Sequence, residues 1–332
     1  MKIVVDAYGG DNAPAAIVAG AVDAMKADDG IIIVFTGKEI EIKELIKKEN
    51  FSEADRYAII NADEIITNDE VPTAAVRSKL NSSLVVGLDY LKKEQSAAGF
   101  VSAGSTGAVL TGATLRVGRI ENVARPALAP LLPRMDGKSV LLIDCGANVD
   151  CRPEMLLQFG IMGGAYMNAL GVDKPRIALL NNGAESKKGN ELTKAAFELL
   201  SASDLNFVGN TEAREIMSGN ADVVVADGFV GNVALKACEG TALMILKMLK
   251  ESVLNGGLTA KIGGMLIKKS LSGLKSKLDF NEQGGALFVG VNKVVVKAHG
   301  SSKRSAIKAA ILQADGLAKA GLVEKISASL KN

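Results

Sequence analysis

Eight short apolar runs constrain this chain more than any other feature. They occupy residues 2–6, 31–35, 57–60, 99–102, 139–144, 176–180, 222–226 and 293–297, and amphipathic stretches of helix length alternate with them. Most of the runs are β-branched at positions that would face both sides of a sheet. A strand that is apolar on both faces needs cover on both, so this βαβα order predicts a three-layer α/β fold, a mostly parallel sheet between two layers of helices. With 332 residues, 48% of them hydrophobic, the chain can bury a large core as a single large α/β catalytic domain spanning 1–332. There is no Trp, and Ala, Gly, Val and Ile are the fillers expected where helices pack closely on strands.

Four of the runs lead into loops of small and polar residues: DAYGGDNAP after the first, SAGSTGA near residue 104, LLNNGAESKKGNEL near residue 182, and DGFVGNVALKACEG from Asp227. A strand, a glycine loop and a helix start bring backbone N–H groups and the positive end of a helix dipole to one place, which suits a phosphate or another oxyanion. In open α/β sheets such loops lie beyond the carboxyl ends of the strands, where ligands bind, so all four are expected to line one cleft. A glycine loop can equally serve only a tight turn and close packing. Neutral donors favour the binding reading: Ser105 and Thr106 between Gly104 and Gly107, Asn182 after a strand, and Asn232 after Gly231, with Gly9, Gly10 and Asp11 in the first loop.

Other phosphate chemistries are disfavoured. The GxxxxGK[ST] of nucleotide triphosphatases is missing, as is a GxGxxG after the first strand with an acid to hold a ribose. A net charge of +2 makes no case for nucleic-acid binding. Cys145, Cys151 and Cys238 lack zinc spacing and are an odd number, so free thiols and no metal are expected. Met1 runs directly into a strand and no apolar run reaches the length of a bilayer span, so a cytoplasmic location is expected.

The only histidine, His299, stands in VVVKAHGSSKRSAIKAA, again between a strand and a helix. An imidazole beside Ser301, Ser302 and a helix start fits acyl transfer, where an oxyanion is stabilised and a proton handled. No GxSxG elbow surrounds either serine, so a serine hydrolase is not read. Cys151 is read as a buried structural thiol rather than a nucleophile.

DAYGGDNAP, SAGSTGA, RPALAPLLP, DCGANVDCRPEMLLQFG, LLNNGAESKKGNEL, DGFVGNVALKACEG, GGALFVGV and AHGSS follow one another nearly from end to end. In that order they resemble the PlsX family of phosphate acyltransferases. Tyr8 stands where that family usually has methionine and Ser105 where it usually has asparagine. The resemblance implies an isocitrate/isopropylmalate dehydrogenase-like fold, usually a homodimer. It also implies transfer of a long-chain acyl group from acyl carrier protein to inorganic phosphate, with no cofactor, giving acyl phosphate for phospholipid synthesis. By similarity to phosphotransacetylases, it assigns His299, Ser301 and Ser302 to the reacting centre, and Lys188 is the candidate for holding phosphate or the oxyanion. A short-chain phosphotransacetylase acting on coenzyme A esters and a non-catalytic scaffold are the alternatives.

Between residues 247 and 277 there are seven lysines and one acid, Glu251. Ile262, Leu266, Leu274 and Leu278 recur near helical spacing, with Lys261, Lys268, Lys269, Lys275 and Lys277 among them, and Asn255, Gly256 and Gly257 break the helix. A helical hairpin over 238–280 follows. It is read either as a dimer element whose lysines face water or as a contact with anionic membrane. The family resemblance implies both roles, with Leu266, Lys268, Lys269, Leu274 and Lys275 at the lipid and the protein peripheral to the inner face of the cell membrane.

Overall fold

A computed structural model describes residues 1–267, 273 and 284–331 of the chain. Its strands form two sheets. The first holds β1 (Lys2–Asp6), β2 (Ile32–Gly37), β3 (Tyr57–Asn61), β4 (Ala97–Ser102), β5 (Ala127–Ala129), β11 (Ala286–Val289) and β12 (Val294–Lys297), in the order β3-β2-β1-β4-β12-β11-β5. The second holds β6 (Leu131–Pro133), β7 (Ser139–Ile143), β8 (Ile177–Asn181), β9 (Phe207–Glu212) and β10 (Val223–Val225), in the order β6-β7-β10-β8-β9.

The two-sided apolar strands do what their sequence requires. In the first sheet Val4, Val34, Phe100 and Val295 face one layer of helices, while Ile3, Val5, Ile33, Phe35, Val101 and Val296 face the other. The second sheet splits likewise, with Leu142, Ala178 and Val224 outward and Leu141, Ile143, Leu179, Val223 and Val225 inward. The inward faces of both sheets belong to one continuous core, filled between them by Phe159, Met162 and Tyr166 of the buried helix α6 (Pro153–Ala169).

The mostly parallel α/β class holds, but the strands are divided between two sheets where one was expected. The division comes at Pro130. A proline has no N–H for a ladder, so the apolar stretch around it is cut into two three-residue strands. β5 pairs antiparallel with β11 in the first sheet, and β6 pairs antiparallel with β7 in the second.

The longest helix, α8 (Gly228–Asn255), leaves the second sheet and turns at Gly256 into α9 (Gly257–Leu266). The expected break is there, with Gly257 at φ +74°. A Cβ at Gly264 would come within 2.3 Å of Val253, so the two helices touch at a glycine. Contrary to the sequence expectation, α8 is long and apolar enough by length and composition to cross a bilayer, and only 22% of its most apolar window is buried. The reason is an apolar side left open among the described residues: Leu243, Met244, Ile245 and Met248 are all more than half exposed. Lys268, Lys269, Leu274 and Lys275 lie outside the described residues.

Candidate active site

β1, β4 and β12 lie side by side and parallel, so their carboxyl ends deliver three loops to one edge. Two buried polar groups knit the loops together. The Asp6 carboxylate accepts from Ser102 Oγ at 2.7 Å and from the Tyr8 amide at 3.3 Å, and Ser102 Oγ accepts from the Gly104 amide at 3.0 Å. Burial pushes the Asp6 carboxyl above its ordinary value, against the pull of these bonds. Gly9 is required for the approach, because a Cβ there would lie 2.7 Å from Asp6 Oδ2, Ser102 Oγ and the Gly104 nitrogen. The Asp11 amide donates to Gly300 O at 2.8 Å, and Asn12 Nδ2 donates to Ser301 O and Ser302 O at 3.0 and 3.2 Å. Gly9, Gly10 and Asp11 therefore stand behind the 299–302 loop as its support.

In front of that loop a cavity of about 300 Å³ opens between the two sheets. Thr106, Gly146, Asn232, Lys236, Lys297 and His299 supply its polar wall, and Leu128, Leu131, Leu132 and Leu235 its apolar one. Thr106, Asn232 and His299, expected at one site, are thus brought together from three parts of the chain. Asn182 is not among them. It faces a neighbouring cavity of about 460 Å³ with Asn181, Asn190, Thr193, Val230 and Val233. Lys188 is exposed one residue from that second cavity, and its backbone is bound within its own loop, with its amide donating to Glu185 O and its carbonyl accepting from Asn181 Nδ2. The first turns of α8 divide the two cavities.

The start of α8 differs from the anion cradle expected of DGFVGN. The Asp227 carboxylate caps the helix, accepting from the Phe229 and Val230 amides at 3.0 and 2.8 Å. The Gly228 amide donates to Asn148 O at 2.7 Å and the Gly231 amide to Asp227 O at 2.9 Å. All four N–H groups of the first turn are committed within the protein, and the capping carboxylate already answers the helix dipole. What α8 offers the cavity is its side chains, with Asn232, Leu235, Lys236 and Glu239 at i, i+3, i+4 and i+7. Lys236 Nζ and Glu239 Oε2 are 2.7 Å apart.

His299 Nδ1 lies 2.9 Å from Ser301 Oγ and 3.3 Å from the Ser301 amide nitrogen. An amide can only donate, so Nδ1 is the acceptor, and this assigns the proton of the neutral ring to Nε2. Burial lowers the His299 pKa first, and the Lys236 charge lowers it further. The lowered value favours the neutral imidazole, whose Nε2–H has no partner among the described residues. Ser302 is buried, its Oγ has no partner among the described residues, and it does not line the cavity. Cys151 is half-buried with Sγ 3.4 Å from Asn148 O, and burial pushes its thiol up to about 11. It is no nucleophile at neutral pH.

Sequence reasoning passed over Lys236, Glu239 and Lys297. Lys297 ends the run VVVK and is only 8% exposed, and Lys236 and Glu239 share a helix face with Asn232. A charge that closes a β-branched run, and a helical spacing counted from Asn232, were the available signals.

A sequence model of the family described as "Fatty acid synthesis protein" matches residues 1–325. The phosphate acyltransferase of Clostridium acetobutylicum is 47% identical over 332 residues, covering all of this chain and 99% of the relative. The phosphate acyltransferase of Bacillus pumilus is 49% identical over 315 residues, covering 95% and 93%. The chain belongs to the PlsX family of phosphate acyltransferases. Among solved structures it is similar to a phosphotransacetylase from Streptococcus pyogenes, with a TM-score of 0.63 at 20% identity over 98% of this chain and 94% of that one. It is also similar to 4-hydroxythreonine-4-phosphate dehydrogenase from Klebsiella pneumoniae, with a TM-score of 0.54 at 13% identity over 96% and 98%. At these identities the structures speak for the fold, and they place a PlsX chain among both phosphotransacylase and dehydrogenase architectures.

Proposed function

We propose that this phosphate acyltransferase takes a long-chain acyl group from acyl carrier protein and gives it to inorganic phosphate, forming acyl phosphate for phospholipid synthesis. The observation that carries the reading is the cavity itself, where two lysines, an uncharged His299 and the neutral donors Thr106 and Asn232 converge. Phosphate attacks the thioester carbonyl, and the tetrahedral oxyanion collapses as the carbon–sulfur bond breaks and the pantetheine thiolate leaves. Held in attacking geometry, two reactants gain roughly 7–11 kcal/mol over free encounter. Each oxyanion donor adds about 3–4 kcal/mol. In this reading the Nε2–H of His299 donates to the oxyanion or to the departing sulfur, and the contact of Nδ1 with Ser301 supports a held ring. Ser302 backs the same loop. Asn182 lines the second cavity and Lys188 adjoins it, across the first turns of α8 from His299.

The protein is further read as a homodimer in contact with anionic membrane. The exposed apolar side of α8, and Met265, Leu266 and Ile267 at the end of α9, support that reading, Leu266 being 82% exposed.

Acyl phosphate formed from long-chain acyl carrier protein, without metal or nucleotide, is the test. Thiol release that continues unchanged without phosphate would make the protein a thioesterase, and turnover confined to acetyl-coenzyme A would make it a short-chain phosphotransacetylase. His299→Ala should lower turnover at least tenfold in a folded protein.

A further inference from the structure

Lys297 is the anomaly of the cavity. It stands at the carboxyl end of β12, buried, with Nζ near the carbonyl oxygens of Ala298 and Ala103, the latter at 3.5 Å. Among the described residues no carboxylate lies within 4 Å of it, whereas other buried cations such as Arg56 and Arg134 have one. An ammonium ion has three donors, and burying one without a counter-ion is costly unless an anion arrives. Lys236 reaches the same cavity from α8 and is paired within its own helix to Glu239.

We propose that Lys297 is the residue that holds the phosphate acceptor, and that Lys236 closes on the same anion from α8 by giving up Glu239. This rests on the reading of phosphate as acyl acceptor and names its seat. Glu239 then serves as the internal anion of the empty site. It keeps Lys236 extended across the cavity wall, and the incoming dianion displaces it. No bond is made or broken in this exchange.

The proposal predicts proton linkage. The charged groups acting on Lys297 and its cavity are Asp6 and Asp11 from β1 and its loop, Lys236 and Glu239 from α8, and His299 beside it. Burial is the largest influence on Lys297, and it brings the ammonium down to about 8. A bound dianion favours the charged form, so the Lys297 pKa is higher in the complex than in the empty site. Phosphate affinity is therefore full below pH 8 and falls as pH rises through and above it.

The experiment measures inorganic phosphate binding by calorimetry from pH 6.5 to 9.5, alongside the phosphate dependence of the rate with acyl carrier protein substrate. The proteins are wild type, Lys297→Met, Glu239→Gln and, as a surface control, Lys92→Met. Lys297→Met should raise the phosphate concentration for half-maximal rate at least tenfold and abolish the loss of affinity above pH 8. Comparing it with wild type cancels the titration of phosphate itself. Glu239→Gln should lower the half-saturating concentration two- to fivefold, because Lys236 is no longer held. A folded Lys297→Met that binds phosphate as wild type does, with the same pH profile, overturns the proposal. If Lys297→Met does not fold, Lys297→Arg decides, since it keeps a charge that cannot titrate in this range and must flatten the profile. Wild-type protein that binds phosphate but does not transfer acyl groups to it would sink the functional reading and leave the Lys297 assignment standing. Wild-type protein that binds none would end the assignment too.

Discussion

Gly231 offers a test in which the geometry reverses the usual sign of a substitution. Within a helix Gly→Ala ordinarily stabilises by about 1 kcal/mol. At Gly231, however, an added Cβ would lie 1.9 Å from the carbonyl oxygen of Asp144, at the end of β7. Reaching even 3.0 Å demands a shift of about 1.1 Å, and the obstacle is backbone rather than a flexible side chain. Overpacking of this kind typically costs 1–3 kcal/mol. The displacement falls on the turn that carries Asn232, Lys236 and Glu239, and a misplacement of about 1 Å can cost on the order of 100-fold in rate. A Cβ at Gly240, nine residues further along the same helix, would meet nothing within 4 Å among the described residues. Gly231→Ala should therefore lower the unfolding temperature and cut turnover with acyl carrier protein substrate about 100-fold. Gly240→Ala should stabilise slightly and keep wild-type turnover. Thermal unfolding and initial rates on the matched pair check this. A Gly231→Ala protein as stable and as active as Gly240→Ala would refute the claim that close seating of α8 on β7 aligns the cavity.

Three further outcomes follow from other parts of the fold. Asp222 accepts from both Arg134 and Arg176; burial would raise its pKa, but the arginine bonds win and hold it at about 2. Its contribution is thus present above the ordinary carboxylate value near 4 and is lost as pH falls toward 2, and Asp222→Ala should cost about 1–3 kcal/mol by removing the carboxylate that Arg134 and Arg176 share while Asp136 still pairs with Arg134, measured by denaturant unfolding at pH 7 and pH 3. Cys151→Ala should keep turnover within twofold, and a tenfold loss would restore a nucleophilic thiol. Leu266→Glu should reduce flotation with anionic vesicles at low salt without changing thermal stability; equal flotation by both proteins would remove Leu266 from the lipid contact.

Legibility of the sequence tracked how much of each element's reason for existing was local. β1, β4, β7, β8, β10 and β12 could be read within two residues of their ends, because strands buried on both faces must be apolar throughout. β5, β6 and β11 could not, because three or four residues carry no period, and which sheet they join depends on partners distant in sequence. The split at Pro130 was visible as a proline but not as a change of sheet. That His299, Thr106 and Asn232 would meet on one cavity could be expected, because polar residues in the loops after strands lie at the ligand edge. The anion cradle at Asp227 was misread although its correction was in view, since an aspartate just before a helix is a capping residue first. Lys297 was missed because the lack of a carboxylate partner is a property of three-dimensional surroundings.

The two faces of α8 also bear on how this chain can change in length. A helix turns by about 100° per residue, so deleting one residue before Asn232 would seat Val233, Ala237 and Gly240 where Asn232, Lys236 and Glu239 now line the cavity. The first three turns are in that sense indexed to the sheet, and insertions there should be lethal to activity at any size short of a full repeat. Beyond Gly240 the helix is largely exposed, with Ala242 its one buried residue among those described. The distal four turns and α9 can lengthen, shorten or rotate as a boom does on its mast, with the reacting centre unaware of it.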